Sequence, residues 1–176
     1  MGLDMCSYTV SLDTVKKACL ENTLIDINID TLLNVYINQV PMNVTEPCGT
    51  YEQTQEEWQR YLSVERAVID KRAELAGYNS DFWYWRKFKA LHEWMEALYR
   101  ERGGQQSFNC IVIRLLEEDF DRLESDIKNK ALSPTEGFFF GSQEIYQEAI
   151  ADAIQWIASS REAIKNGYAV LYSSRW

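Results

Sequence analysis

Residues 82–94 read Phe82-Trp83-Tyr84-Trp85-Arg86-Lys87-Phe88-Lys89-Ala90-Leu91-His92-Glu93-Trp94, and this stretch decides how the middle of the chain is interpreted. From Tyr84 to Leu98 the apolar residues repeat at intervals of four, three, four and three, which is the spacing of one helix face. The pattern predicts a helix that begins after Ser80 or Asp81 and runs to about Arg102. On such a helix Trp85, Lys89 and His92 would share one face.

Aromatic side chains next to cations can hold a flat anionic ligand by stacking and by charge-assisted hydrogen bonds. Residues 82–94 combine both types of side chain with the only histidine of the chain. The competing interpretation is a helix whose aromatic side chains fill a core while Arg86 and Lys87 stay solvated.

The surrounding sequence predicts an α+β fold, mainly helical, with a small antiparallel or mixed sheet of about three short strands. The strand candidates are residues 1–10, 108–113 and 168–172. Thr54 and Glu57 have the spacing of a capping box that opens a long helix ending near Gly77. Apolar residues at helical spacing between 116 and 127 predict a second helix with an acidic face, and Ser142 is positioned to cap a last long helix that stops at Gly167. A length of 176 residues predicts a single domain over residues 1–176.

Composition excludes several classes of function. The 27 acidic and 18 basic residues give a formal net charge of −9, which argues against a duplex nucleic-acid partner. The apolar runs are far shorter than the roughly 20 residues that cross a membrane, so no membrane partner is expected. Four separated cysteines and one histidine form no zinc pattern, so we expect no metal site. We also expect no cofactor, reduced thiols and a cytoplasmic location.

Two further motifs have both a chemical and a structural interpretation. Glycines and phenylalanines at 137–141 enter a helix at Ser142, where free backbone N–H groups would face an aromatic wall, although the lysine of a phosphate loop is absent. His92-Glu93 is reminiscent of a zinc-protease motif but has no second histidine. The simpler interpretations are core anchoring for the phenylalanines and a hydrogen-bonded helix histidine for His92.

Four landmarks together resemble a family of small, functionally uncharacterised phage and prophage proteins. They are the opening Met1-Gly2-Leu3-Asp4-Met5, the pair Tyr84-Trp85-Arg86-Lys87 and Leu91-His92-Glu93-Trp94, the stretch Gly137-Phe138-Phe139-Phe140-Gly141-Ser142, and the ending Tyr172-Ser173-Ser174-Arg175-Trp176. The chain departs from the family pattern at Phe88-Lys89, Met95 and Gln147. Relative to the family, residues 11–79 resemble a helical insertion.

The resemblance implies a phage accessory protein that acts in the cytoplasm of an infected bacterial host. Some family members carry the label phosphoglycerate kinase, which does not suit a chain this short that lacks a nucleotide-phosphate loop. Small phage proteins of this kind often inhibit host defence, either by binding a defence protein or by capturing an anionic signalling molecule. We therefore expect binding without catalysis, with eight ligand-binding residues: Asp4, Trp85, Arg86, Lys87, His92, Ser142, Ser174 and Trp176.

Three alternatives stay open at the level of sequence. The acidic helix from Glu117 to Asp126 could occupy a basic surface of a host enzyme. A small hydrolase or transferase could use His92 as general base with Ser142 or Asp4 as its partner. The aromatic residues, among them Trp58 and Tyr61, could also bury against a second copy in a homodimer.

Overall fold

The computed structural model describes residues 2–18, 29–48, 54–132 and 143–176 of the chain. Within these ranges the elements in chain order are β1 (Asp4–Ser11), α1 (Leu12–Lys17), α2 (Ile29–Asn34), α3 (Gln55–Ala76), β2 (Asn79–Arg86), α4 (Lys89–Glu101), β3 (Val112–Leu115), α5 (Glu117–Lys128), α6 (Gln143–Lys165) and β4 (Tyr168–Arg175). The strands form one antiparallel sheet in the order β2-β1-β4-β3. The α+β class is thus confirmed, with four strands in place of about three.

The additional strand is β2, and the helix expected from Ser80 or Asp81 is wrong over this segment. Residues 79–86 pair with β1, and a helix begins only at Lys89. Consecutive aromatic residues favour extended backbone, where large rings pack on a pleated surface. The break falls at Lys87, whose φ of 62° lies in the left-handed region and separates strand from helix.

The strand expected at 108–113 is shifted, because β3 begins only at Val112. Cys110 has a φ of 61°, which is incompatible with a continuous extended strand. Its backbone N–H nevertheless donates to the carbonyl of Ser174, so the segment still lies alongside the end of β4.

The long helices agree with their sequence signals. α3 starts directly after Thr54 and ends at Gly77, which has the left-handed conformation (φ 61°) expected of a C-terminal glycine. Thr54 makes no side-chain cap hydrogen bond, so the capping box is not formed. α5 buries Phe120, Leu123 and Ile127, the apolar face that the spacing predicts.

The two faces of the sheet are covered differently. On one face Met5, Trp85 and Tyr172 pack with residues of α4, α5 and α6 in the main core. On the other face a smaller cluster joins Val10 and Leu171 to side chains of α1, α2 and α3. These three helices all lie within residues 11–79, the segment interpreted as an insertion, and they leave an accessible cleft at the opposite end of the same sheet face.

Candidate functional site

Three charged residues form a row across the three neighbouring strands β2, β1 and β4. Asp4 of β1 is paired with Arg86 of β2 on one side and with Arg175 of β4 on the other. We call these three residues the charged row. Because side chains directly opposite each other in antiparallel strands lie on one face, a carboxylate is placed between two guanidinium groups.

A cleft of about 670 Å³ lies on the face away from the main core, and of the charged row Asp4 and Arg175 line it. Arg86 lies on the other side of Asp4, beside the lining residues. The next row inward, two residues along each strand, contains Tyr84, Cys6 and Ser173. The rest of the lining comes from β1, β3, β4, α2, the turn before β2 and the loop before β3: Asp4, Tyr8, Ile29, Tyr78, Gln106, Cys110, Ile111, Val112, Ser174 and Arg175. The volume is within the range of small-molecule sites.

The hydrogen bonds at the charged row leave its cations accessible. Tyr84 donates its hydroxyl hydrogen to Oδ1 of Asp4 over 2.6 Å. Nε of Arg86 lies 3.9 Å from the same oxygen, which is an ion pair at the edge of contact distance. Within the described ranges, no ion pair or side-chain hydrogen bond is found for Arg175. Both guanidinium groups can therefore donate hydrogen bonds to an external anion.

Three titratable groups inside the cleft are uncharged at neutral pH. Burial raises the pKa of Tyr8, and it raises the pKa of Tyr78 to about 12, with smaller contributions from neighbouring groups. Burial and, to a smaller extent, the carboxylate of Asp4 also raise the pKa of the Cys6 thiol. These groups therefore offer hydroxyl and thiol hydrogens and no anionic nucleophile.

Trp85 and His92 lie on the other side of the sheet, in the main core. Trp85 is 4% exposed and makes an edge-to-face contact with Trp156, with ring centroids 4.9 Å apart. The predicted helix face shared by Trp85, Lys89 and His92 is wrong, because Trp85 belongs to a strand and His92 to a helix. The two residues therefore do not meet Asp4 at the cleft.

His92 is enclosed by aromatic side chains. Its ring stacks on Phe108 with centroids 5.5 Å apart, and its Nδ1 lies 3.5 Å from the hydroxyl oxygen of Tyr172. Burial lowers the pKa of His92, so the ring is neutral at pH 7.

The chain end is attached to the loop before β3. The hydroxyl of Ser174, which is 3% exposed, and the indole N–H of Trp176 both donate to the carbonyl of Phe108, over 3.4 and 3.3 Å. Ser174 borders the cleft, whereas Trp176 is 54% exposed beside Asn109. Lys87 is exposed at the end of β2, next to Arg86. Ser142 and the phenylalanines before it lie outside the described residues.

The acidic helix α5 is extensively paired. Asp119 is buried and accepts a hydrogen bond from Arg102 over 2.6 Å. Asp121 and Glu124 both form ion pairs with Arg161. On the predicted acidic face, Asp119 is therefore buried, and Asp121 and Glu124 are paired with a cation.

The structure brings Asp4 and Arg86 together and adds residues that the sequence does not single out. These are Tyr8, Cys6, Tyr84, Ser173 and Arg175, all on one face of the sheet. The alternation of Asp4, Cys6 and Tyr8 is a signal that sequence does contain, since residues two apart in a strand share a face. Their partners on β2 and β4 depend on register, which sequence alone does not supply.

Comparison with known proteins finds no matching family model, no matching curated protein and no matching solved structure.

None of the helices placed within the described ranges combines the length and the apolar character needed to cross a membrane. In the same part of the chain, no group of three histidine, cysteine or acidic side chains is arranged to hold a metal ion.

Proposed function

We propose that this protein acts by binding, and that the cleft holds a small organic anion without changing it chemically. Arg86 and Arg175 contact the acidic group of the ligand, and Asp4 orients it by accepting a hydrogen bond. The observation that carries the proposal is the charged row, in which Arg175 lines the mouth of the cleft beside Asp4, and the exposed Arg86 lies on the other side of Asp4.

Binding without turnover is supported by the state of the reactive groups. The thiol of Cys6 and the hydroxyl of Tyr8 both have raised pKa values, so neither is an ionised nucleophile at neutral pH. His92, the general base of the alternative hydrolase or transferase, is 8% exposed and lies on the opposite side of the sheet. This placement favours binding over that alternative.

The biological role rests on the resemblance to small phage proteins. Capture of an anionic signal in an infected bacterial cytoplasm would make the protein an inhibitor of host defence. The competing role, in which α5 binds a basic surface of a host defence protein, is less favoured because Asp119, Asp121 and Glu124 are already paired with arginines.

The test is isothermal titration of the wild-type protein with butyrate, ribose 5-phosphate, AMP and indole-3-acetate, followed by the same titrations of the double variant R86A/R175A. A charge-assisted hydrogen bond contributes at least about 1.5 kcal/mol, so loss of two corresponds to binding roughly 100-fold weaker. The melting temperature should stay nearly constant, because both arginines are exposed.

The matched control is R60A/R66A, which removes the same charge from exposed positions of α3. This variant should bind as the wild type does. Equal weakening in both double variants would reduce the effect to net charge, and the absence of binding by all four anions to the wild type would refute the proposal.

A further inference from the structure

We propose that the ligand of the cleft is an aromatic anion, in which a flat ring is joined to a single phosphate or carboxylate group. This inference rests on the proposed function, since it names the chemical class of the anion. It follows from the way in which charge and aromatic surface are distributed along the cleft.

The cleft has a charged end and an aromatic end. The charged row is at Asp4, whereas Tyr8 lies four residues further along the same face of β1, about 13 Å away at the rise of an extended strand. A ligand that reaches both ends needs an acidic group and a ring separated by a short connection.

The aromatic end is a corner formed by two tilted rings. The centroids of Tyr8 and Tyr78 are 5.9 Å apart, with an angle of 44° between their planes. Ile29 and Val112 belong to the same apolar cluster as the two tyrosines and also line the cleft. A flat ring buries apolar area against such a wall and gains offset or edge contacts with the tyrosines. An aliphatic chain buries apolar area without these ring contacts, and a sugar buries little apolar area.

The polar groups near this corner are few and uncharged. Ser173 lines the cleft one row from Asp4, Gln106 lies in the loop before β3, and the high pKa of Tyr78 keeps its hydroxyl protonated. Such groups can hydrogen-bond ring heteroatoms or amino substituents. They provide no cation for a second acidic group, so the ligand carries its charge at one end.

The experiment compares ligands on the wild-type protein by isothermal titration. AMP and indole-3-acetate each carry an aromatic ring and one acidic group, whereas ribose 5-phosphate and butyrate carry one acidic group without an aromatic ring. At least one of the two aromatic anions should bind about 10-fold or more tightly than its non-aromatic counterpart, and the pair that shows the difference distinguishes a phosphate from a carboxylate source.

The variant Tyr8→Leu keeps apolar bulk and removes the ring. It should weaken binding of the aromatic anion about 10-fold and leave binding of ribose 5-phosphate or butyrate unchanged. The ligand comparison on the wild type remains decisive if this variant does not fold.

Failure of this inference differs from failure of the proposed function. Arginine-dependent binding of ribose 5-phosphate or butyrate that equals or exceeds binding of the aromatic anions would overturn the inference and leave the proposed function intact. Binding of none of the four probes would overturn both.

Discussion

Replacement of Asp119 by alanine should destabilise the protein strongly, although the sequence places this residue on the acidic face of α5. One of its carboxylate oxygens, Oδ2, accepts hydrogen bonds from Arg102 over 2.6 Å and from the backbone N–H of Leu116 over 2.7 Å. The side chain of Asp119 is 8% exposed and that of Arg102 is 23% exposed.

The magnitude follows from what the carboxylate leaves behind. Removing one member of a buried pair costs about 3–5 kcal/mol, because the remaining charge is uncompensated. Arg102 keeps its bond to the carbonyl of Arg114 and some solvent access, so the lower end of this range, about 3 kcal/mol, is expected for D119A. Urea unfolding followed by circular dichroism measures this loss.

Two comparisons make the result interpretable. D121A removes a carboxylate that is 68% exposed from the same helix and should cost less than about 1 kcal/mol. In the double variant R102M/D119A, the total cost should be smaller than the sum of the two single costs, because no unpaired charge remains. A loss below about 1 kcal/mol in D119A, or simple additivity in the double variant, would refute the reasoning.

Two further predictions concern the main core. G104A should lower the free energy of unfolding by about 1–3 kcal/mol, because a Cβ atom on Gly104 would overlap the buried ring of Tyr99. The control variant Q105A changes the exposed neighbouring residue and should have little effect. Equal stabilities of the two variants in urea would contradict this contact. Burial lowers the pKa of His92 in the folded protein below the ordinary 6.5. The unfolded chain therefore binds more protons than the folded protein as the pH falls below about 6.5, and stability is lost there. Above that pH the contribution of His92 to stability is constant. The variant H92Q should therefore lose less stability than the wild type between about pH 7.5 and 5.5 in the same assay, and an equal loss would show that other groups titrate.

The candidate site shows why part of it could be predicted and part could not. Asp4 and Arg86 are predicted from the sequence, and the structure places them at the charged row. Arg175 is not predicted, because the sequence favours its neighbours Ser174 and Trp176. A shift of one position along a strand moves a side chain to the opposite face, so the choice requires the register of β4 against β1.

The assignment of Trp85 illustrates the same limit at the level of secondary structure. Tyr84, Phe88 and Leu91 fit a helical repeat, but the repeat crosses the boundary between β2 and α4. Periodicity over a short aromatic segment fits both structures, and the outcome is decided by hydrogen bonding to β1, which is distant in sequence. Trp85 therefore lies in the core on the far side of the sheet from the cleft.

Features that depend only on neighbouring residues can be predicted from the sequence. These are the α+β class, the long helices α3, α5 and α6, the glycine stop at Gly77 and the acidic character of the chain, all of which follow from local spacing and composition. Tertiary structure alone decided that 79–86 is a strand, that Asp119 is buried against Arg102, and that Asp4 lies between two arginines. Each of these depends on a partner from a remote part of the chain, and local pattern carries no information about which partner that is.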